Sequence, residues 1–142
     1  MGDRYVVGFR ASDQTPDEQV IYLYSHWGGS EQHQSIAWAI VAAQPRWNDA
    51  DYATRIATSS LIGDDWHLET GYGLSVGSFC GPDYASIHIV DWASQTVLVT
   101  PLAEHFSAPR IADAEPVPFA DFLATAEARD KALYDDAPLV DL

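Results

Sequence analysis

Basic residues and cysteine are scarce in this chain of 142 residues, and each shortage excludes a class of protein. Seven Lys and Arg stand against 21 Asp and Glu, which gives a formal net charge of −14 at pH 7. Such a surface repels the phosphates of nucleic acids and anionic lipids, so we expect neither direct nucleic-acid binding nor membrane binding. The one cysteine, Cys80, can form no internal disulfide, so nothing in the sequence requires an oxidising compartment.

Long apolar runs are also missing. The longest one, around residues 36–43, is far shorter than the roughly 20 residues that a bilayer-spanning helix needs. The N-terminal Met-Gly-Asp-Arg lacks the basic start and the apolar run of a signal peptide. We therefore expect a cytoplasmic protein.

Known catalytic and cofactor signatures are absent from the sequence. There is no Walker-type Gly-Lys-Ser/Thr, no His-Glu-x-x-His and no Gly-x-Ser-x-Gly, and the five histidines show no metal-ligand spacing. We expect no cofactor and no metal, and we favour a non-enzymatic protein while leaving an enzyme open.

The hydrophobic pattern predicts an α+β fold in one domain, residues 1–142. We expect an antiparallel sheet of about five strands packed by about three helices, with a loosely ordered tail from about residue 135. The segment 101–117 contains three prolines and is predicted to be irregular, with Pro118 as the first residue of the last helix. The predicted strands cover residues 4–10, 20–24, 72–77, 85–90 and 96–100, and the other two helices cover residues 31–43 and 49–62.

A glycine-rich turn between the second strand and the first helix is the first candidate site. Paired glycines let backbone amides approach a ligand closely, and a helix start adds positive potential, so the turn could hold an anionic group. Ser30 is the expected helix N-cap. The alternative is a tight connection whose tryptophan fills the core. The candidate residues are Ser25, His26, Trp27, Gly28, Gly29 and Ser30.

Two further features could complete such a site. Glycines flank a tyrosine in the segment Thr70, Gly71, Tyr72 and Gly73, where they permit close backbone approach or, alternatively, a bulged strand. Arg46 and Arg55 are reasonable anion partners in so acidic a chain. The alternative for Arg55 is an ion pair with Asp51, one helical turn earlier.

Three segments together resemble a family of small bacteriophage and prophage proteins of unknown function. They are the string from Ile21 to Ser30, the Arg46-Trp-Asn-Asp49 segment with residues 52–56, and the segment from Thr70 to Ser75. The resemblance covers about residues 5–100. It implies a phage or actinobacterial-type origin, and hence the cytoplasm of a host cell, but it implies no activity.

Three functional hypotheses from different classes follow. The leading one is a phage accessory protein, with a role against host defence, that binds a small anionic ligand, for example a nucleotide-like one. In it, Gly28 and Gly29 hold a phosphate, Arg55 pairs with its charge, and Trp27 or Tyr72 stacks on a base. The alternatives are an inhibitor that binds a host enzyme through an acidic and aromatic surface, and a small hydrolase that uses His26 or His67. A virion component and a homodimer stay open.

Overall fold

The computed structural model describes residues 3–77, 87–100 and 111–129, with side chains as far as residue 126. The strands are β1 (Tyr5–Arg10), β2 (Ile21–Ser25), β3 (Tyr72–Val76), β4 (His88–Asp91), β5 (Thr96–Val99) and β6 (Glu115–Pro118). The helices are α1 (Gln32–Ala42), α2 (Ala50–Ile62) and α3 (Phe119–Arg129). The predicted α+β class is confirmed.

All six strands belong to one sheet in the order β3-β2-β1-β4-β5-β6. The neighbours β1 and β2 form an antiparallel hairpin, and β4 and β5 form another. In contrast to the expected purely antiparallel sheet, β1 and β4 run parallel, with Val7 opposite His88. The chain between β1 and β4 contains β2, α1, α2 and β3, so no local sequence pattern specifies the pairing of β1 with β4.

The sixth strand is the other departure from the predicted fold. Pro116 and Pro118 argue against a strand because proline lacks the N–H that a ladder requires. Edge strands tolerate proline, however, and β6 pairs with β5 alone. Pro118 therefore ends β6, and α3 begins one residue later, at Phe119.

The helices pack on one face of the sheet, where alternate strand residues meet the apolar sides of all three helices. Phe9 stacks on Trp92 in this layer, with ring centroids 6.2 Å apart. Buried residues of the helix-covered face include Val7, Phe9, Leu23, Ile36, Ile40, Ala53, Ala57, Val90, Trp92, Phe119 and Phe122. The opposite face buries a smaller cluster of Val6, Val20, Tyr22, Ile87, Ile89 and Leu98.

Two predictions fall partly or wholly outside the described residues: the start of the strand expected at residues 85–90, and the tail from about residue 135. Among the helices that the structure describes, none has both the length and the apolar character needed to cross a membrane.

Candidate functional site

The glycine-rich turn and the segment Thr70–Gly73 lie side by side, as the leading hypothesis requires. Ser25 is the register partner of Tyr72 at the end of the β2–β3 ladder. One residue further on, the His26 amide donates a 2.9 Å hydrogen bond to the Gly71 carbonyl. The strand pairing thus joins two of the three predicted parts of the site.

Two amides of the turn, those of Gly29 and Ser30, already have an acceptor within the chain. Gly29 donates its N–H to the backbone carbonyl of Asp3 at 2.7 Å. The Ser30 amide donates to Asp3 Oδ1, and the Ser30 hydroxyl donates to Asp3 Oδ2, each at 2.9 Å. A Cβ on Gly29 would lie only 2.5 Å from the Arg4 carbonyl oxygen. Glycine is therefore required here because the N-terminal segment crosses the turn.

This arrangement corrects the capping role predicted for Ser30. Ser30 lies in a 3-10 turn (Gly29–Glu31), and α1 begins at Gln32 without a side-chain cap. Gly28 enters the turn in the left-handed conformation, with φ of 84°. The carboxylate held at this turn is that of Asp3, and its donors are the amide and hydroxyl of Ser30, not the amides of Gly28 and Gly29.

Trp27 covers the junction from outside and does not fill the core. Its side chain is 48% exposed, and its ring contacts the rings of His26 and Tyr72 edge to face, at 5.5 and 5.9 Å between centroids. The ring lies directly over Gly71, whose φ is 99°. Ser25 supports the turn by donating its hydroxyl to the Trp27 carbonyl at 2.6 Å.

Beneath the turn, the Tyr5 phenol is packed in the core. Burial raises the pKa of Tyr5 to about 12, and the neighbouring Tyr72 contributes in the same direction. Tyr5 therefore stays neutral throughout the physiological range.

The two arginines of the predicted site lie away from the glycine turn. Arg46 follows the far end of α1, an 11-residue helix that spans about 16 Å, and its guanidinium sits 4.8 Å above the Tyr52 ring. Arg55 lies in the middle of α2 and faces a different cavity. The structure therefore assembles the turn and the Thr70–Gly73 segment but not the complete predicted site.

Arg55 lines an open groove of about 470 Å³ between α2 and the sheet, which we call the α2 groove. Its origin lies in α2, where Ala50, Thr54 and Thr58 recur at four-residue intervals and present small side chains to one side. The complete lining consists of Phe9, Arg10, Ala11, Thr15, Gln19, Ile21, Ala50, Asp51, Thr54, Arg55, Thr58 and Leu74.

The sheet side of the α2 groove is apolar. Phe9 pairs with Ile21 across β1 and β2, and Leu74 lies diagonally from Ile21 on β3, on the same face. Leu74 is 63% exposed, so its apolar surface is accessible in the groove.

The cationic group of the α2 groove lacks a carboxylate partner within the described chain. Arg55 donates a long 3.5 Å hydrogen bond to the Ser59 hydroxyl, and no described carboxylate lies within ion-pair distance of its guanidinium. The expected pair with Asp51 is thus not formed, although both residues line the groove. Arg55 is exposed and available to an anion.

A second arginine at the base of the α2 groove is committed to a structural role. Arg10 Nε donates to Asp91 Oδ2 at 2.7 Å, and the two side chains are 11% and 1% exposed. Asp91 Oδ1 also accepts from the Ser94 amide, which fixes the β4–β5 turn. Trp92 donates its indole N–H to Thr54 at 2.9 Å and ties α2 to the sheet.

The histidines proposed for a hydrolase are not assembled with an acid. His26 Nδ1 forms a 2.9 Å hydrogen bond with the Tyr24 hydroxyl, and His67 packs edge to face on Trp66. Within the described ranges, neither ring is hydrogen-bonded to a carboxylate, and no three potential metal ligands cluster.

The buried His88 is the most perturbed titratable group of the described residues, and its packing beside His33 had no signal in the sequence. His33 stacks on Phe122 at 4.0 Å and donates from Nε2 to the Phe122 carbonyl at 3.0 Å. The His88 ring lies 6.4 Å from the His33 ring. Burial lowers the pKa of His88 from 6.5 to about 4, and the nearby His33 adds to the effect.

Comparison with known proteins gives no relative from which a function could be transferred. No family model, no curated protein and no solved structure matches the chain. The resemblance to small phage proteins accordingly stays a prediction from three sequence segments.

Proposed function

We propose that this chain is a phage accessory protein that binds a small ligand with an anionic group, of nucleotide-like size, in the α2 groove. The observation that carries the proposal is Arg55, an exposed cation that lines a cavity and has no carboxylate partner within the described chain. Arg46 is also exposed, but its guanidinium lies over the Tyr52 ring, whereas the contact given for Arg55 within the described ranges is the long hydrogen bond to Ser59.

The groove offers complementary surfaces for such a ligand. The guanidinium of Arg55 would pair with a phosphate or carboxylate, preferably in bidentate geometry. The exposed face of Leu74 and the partly exposed Ile21 would contact the apolar or planar body of the ligand. Thr15 and Gln19, on the opposite wall from α2, supply polar groups for orientation.

This proposal retains Arg55 from the sequence-based site and changes the other roles. Gly29 and Ser30 are engaged with Asp3, so they are not available to a phosphate while that contact persists. Trp27 and Tyr72 do not line the α2 groove, so stacking on a base would fall to the aliphatic side chains instead. The phage origin and a role against host defence rest on the sequence resemblance alone.

The first experiment is a thermal-shift screen of the purified chain against nucleotides, including cyclic dinucleotides and ADP-ribose derivatives, with recovery of the ligand afterwards. A ligand that binds only the folded state stabilises it, by about 2.7 kcal/mol at a ligand concentration of a hundred times Kd. This stabilisation raises the melting temperature. We expect a shift with the ligand recovered intact. A shift with altered ligand would support the hydrolase instead, and no shift across the panel would contradict the proposal.

A further inference from the structure

The two edges of the sheet are protected very differently. At one edge, β6 carries Glu115, Pro116 and Pro118 within four residues. Prolines and charges on an edge strand prevent another strand from pairing with it, because they remove donors and disfavour desolvation. The β6 edge is therefore closed to strand addition.

The other edge, β3, lacks these protective features. Its sequence from Tyr72 to Val76 contains neither proline nor a charged residue. Leu74 and Val76 are 63% and 66% exposed, although they lie on the face of the sheet that the helices cover elsewhere. Within the described residues, β3 pairs with β2 alone.

The register of β2 and β3 shows which side chains an added strand would contact. Leu74 lies opposite Leu23, which is fully buried, and Val76 lies opposite Ile21. Within the described residues, the apolar layer thus continues across β3 and ends at that strand. A strand paired there would place every second side chain beside Leu74 and Val76, so apolar residues at alternate positions would extend the layer.

The charges around β3 select the kind of partner. Residues 56–109 contain no Lys or Arg. Beside the middle of β3, Arg55 lines the α2 groove together with Leu74. At the ends of β3 the charges are acidic: Asp64 and Glu69 are exposed on the segment before the strand, and Glu18 lies at the other end, where its carbonyl oxygen would be 2.6 Å from a Cβ on Gly77. A second copy paired antiparallel would place these acidic ends against each other, whereas a basic segment would be attracted at both ends.

We infer that the β3 edge binds an extended, basic segment of another protein by strand addition. Backbone hydrogen bonds would supply general affinity, alternate apolar residues would pack on Leu74 and Val76, and flanking Lys or Arg would meet the acidic ends. This inference shares Leu74 with the α2 groove, but it does not rest on the ligand proposed there, because the other residues of β3 do not line the groove.

The test uses isotopically labelled full-length chain and a synthetic peptide of about nine residues that alternates lysine and valine. A peptide with glutamate in place of lysine tests the charge, and one with a central proline tests the backbone pairing. Binding is followed by amide chemical shifts. The variant Val76→Lys closes the edge without altering the α2 groove, which Val76 does not line. Ala124→Lys, at an exposed position of α3, is the matched control for charge.

We expect shift changes centred on residues 72–76, and at least about tenfold weaker binding by Val76→Lys but not by Ala124→Lys. Equal binding by Val76→Lys, equal binding of the glutamate or proline peptide, or shift changes elsewhere would overturn the inference. A sedimentation experiment that reveals a homodimer dissociated by Val76→Lys would also overturn it, because the occupant would then be a second copy.

Discussion

Ser30 donates two hydrogen bonds to the carboxylate of Asp3, one from its amide and one from its hydroxyl, each 2.9 Å long. The contact spans 27 positions of sequence and brings the N-terminal segment over the turn that precedes α1. A third bond, from the Gly29 amide to the Asp3 carbonyl, completes it. The Asp3 carboxylate is thus held by the amide and the hydroxyl of Ser30, whereas the sequence pointed to the amides of Gly28 and Gly29 as anion donors.

Replacing Asp3 with Ala should therefore both destabilise the fold and open an anion site. The loss of hydrogen bonds to an exposed carboxylate should cost about 1 kcal/mol in free energy of unfolding. Added phosphate should restore part of the melting temperature in Asp3→Ala, because the freed amide and hydroxyl of Ser30 can donate hydrogen bonds to it.

The matched control is Asp13→Ala, which removes the same charge from an exposed residue that bonds only to its neighbour Gln14. Thermal unfolding of the wild-type chain and both variants, with and without phosphate, measures both effects. A phosphate response no larger in Asp3→Ala than in Asp13→Ala would contradict this account of the turn.

The same substitution should destabilise the fold at Gly71 and leave its stability nearly unchanged at Gly73. A Cβ on Gly71 would meet the Trp27 ring at 2.5 Å, and the φ of 99° is strained for any L-residue. We expect Gly71→Ala to cost about 1 to 2 kcal/mol, since the backbone strain adds to displacement of the ring. Gly73→Ala meets nothing within 4 Å and should be nearly neutral. Urea unfolding of both variants checks the difference, and equal stabilities would contradict the close packing of Trp27 on Gly71.

His88 should make the stability depend on pH below neutrality. Its pKa is about 4 in the folded chain and about 6.5 when unfolded, so the unfolded state binds more protons between these values. Stability should therefore fall as the pH falls from about 6.5 to 4, by up to about 3 kcal/mol from this group. Above about pH 6.5, His88 is neutral in both states, and its full contribution to the free energy of unfolding is retained.

Replacing His88 with Gln removes the titration while keeping a polar side chain of similar size. The melting temperature of His88→Gln, measured from pH 7 to pH 4, should fall less steeply than that of the wild-type chain. His67→Gln changes an exposed histidine and serves as the control. Parallel profiles for the wild-type chain and His88→Gln would contradict the buried, neutral state of His88.

Local patterns in the sequence were enough to predict the strands β1, β2, β3 and β5 and the three helices to within a few residues. Alternation also placed Ile87 and Ile89 on one face of β4 and Val90 on the other, as the two buried clusters confirm. These features depend on neighbouring residues, whose periodicity is read directly along the chain.

The remaining features depend on contacts between distant residues. The parallel pairing of β1 with β4 joins residues that are 81 positions apart, and the acceptor of Ser30 is the remote Asp3. The α2 groove arises where Phe9, Ile21 and Leu74 meet the small residues of α2. The local signal for it is the spacing of Ala50, Thr54 and Thr58 beside Arg55. This spacing forms a groove only where α2 packs over the sheet, which the sequence does not specify locally.

The role of Arg55 is the central claim, and calorimetric titration tests it most directly. The titrant is the nucleotide that gives the largest thermal shift, and the samples are the wild-type chain, Arg55→Ala and Arg46→Ala. Arg46 is also exposed, but it lies over Tyr52 outside the groove, so its variant controls for the lost charge. We predict at least about tenfold weaker binding for Arg55→Ala and little change for Arg46→Ala, since a charge-assisted pair is lost only in the first. Unchanged affinity in Arg55→Ala, or an equal loss in both variants, would contradict the proposed site.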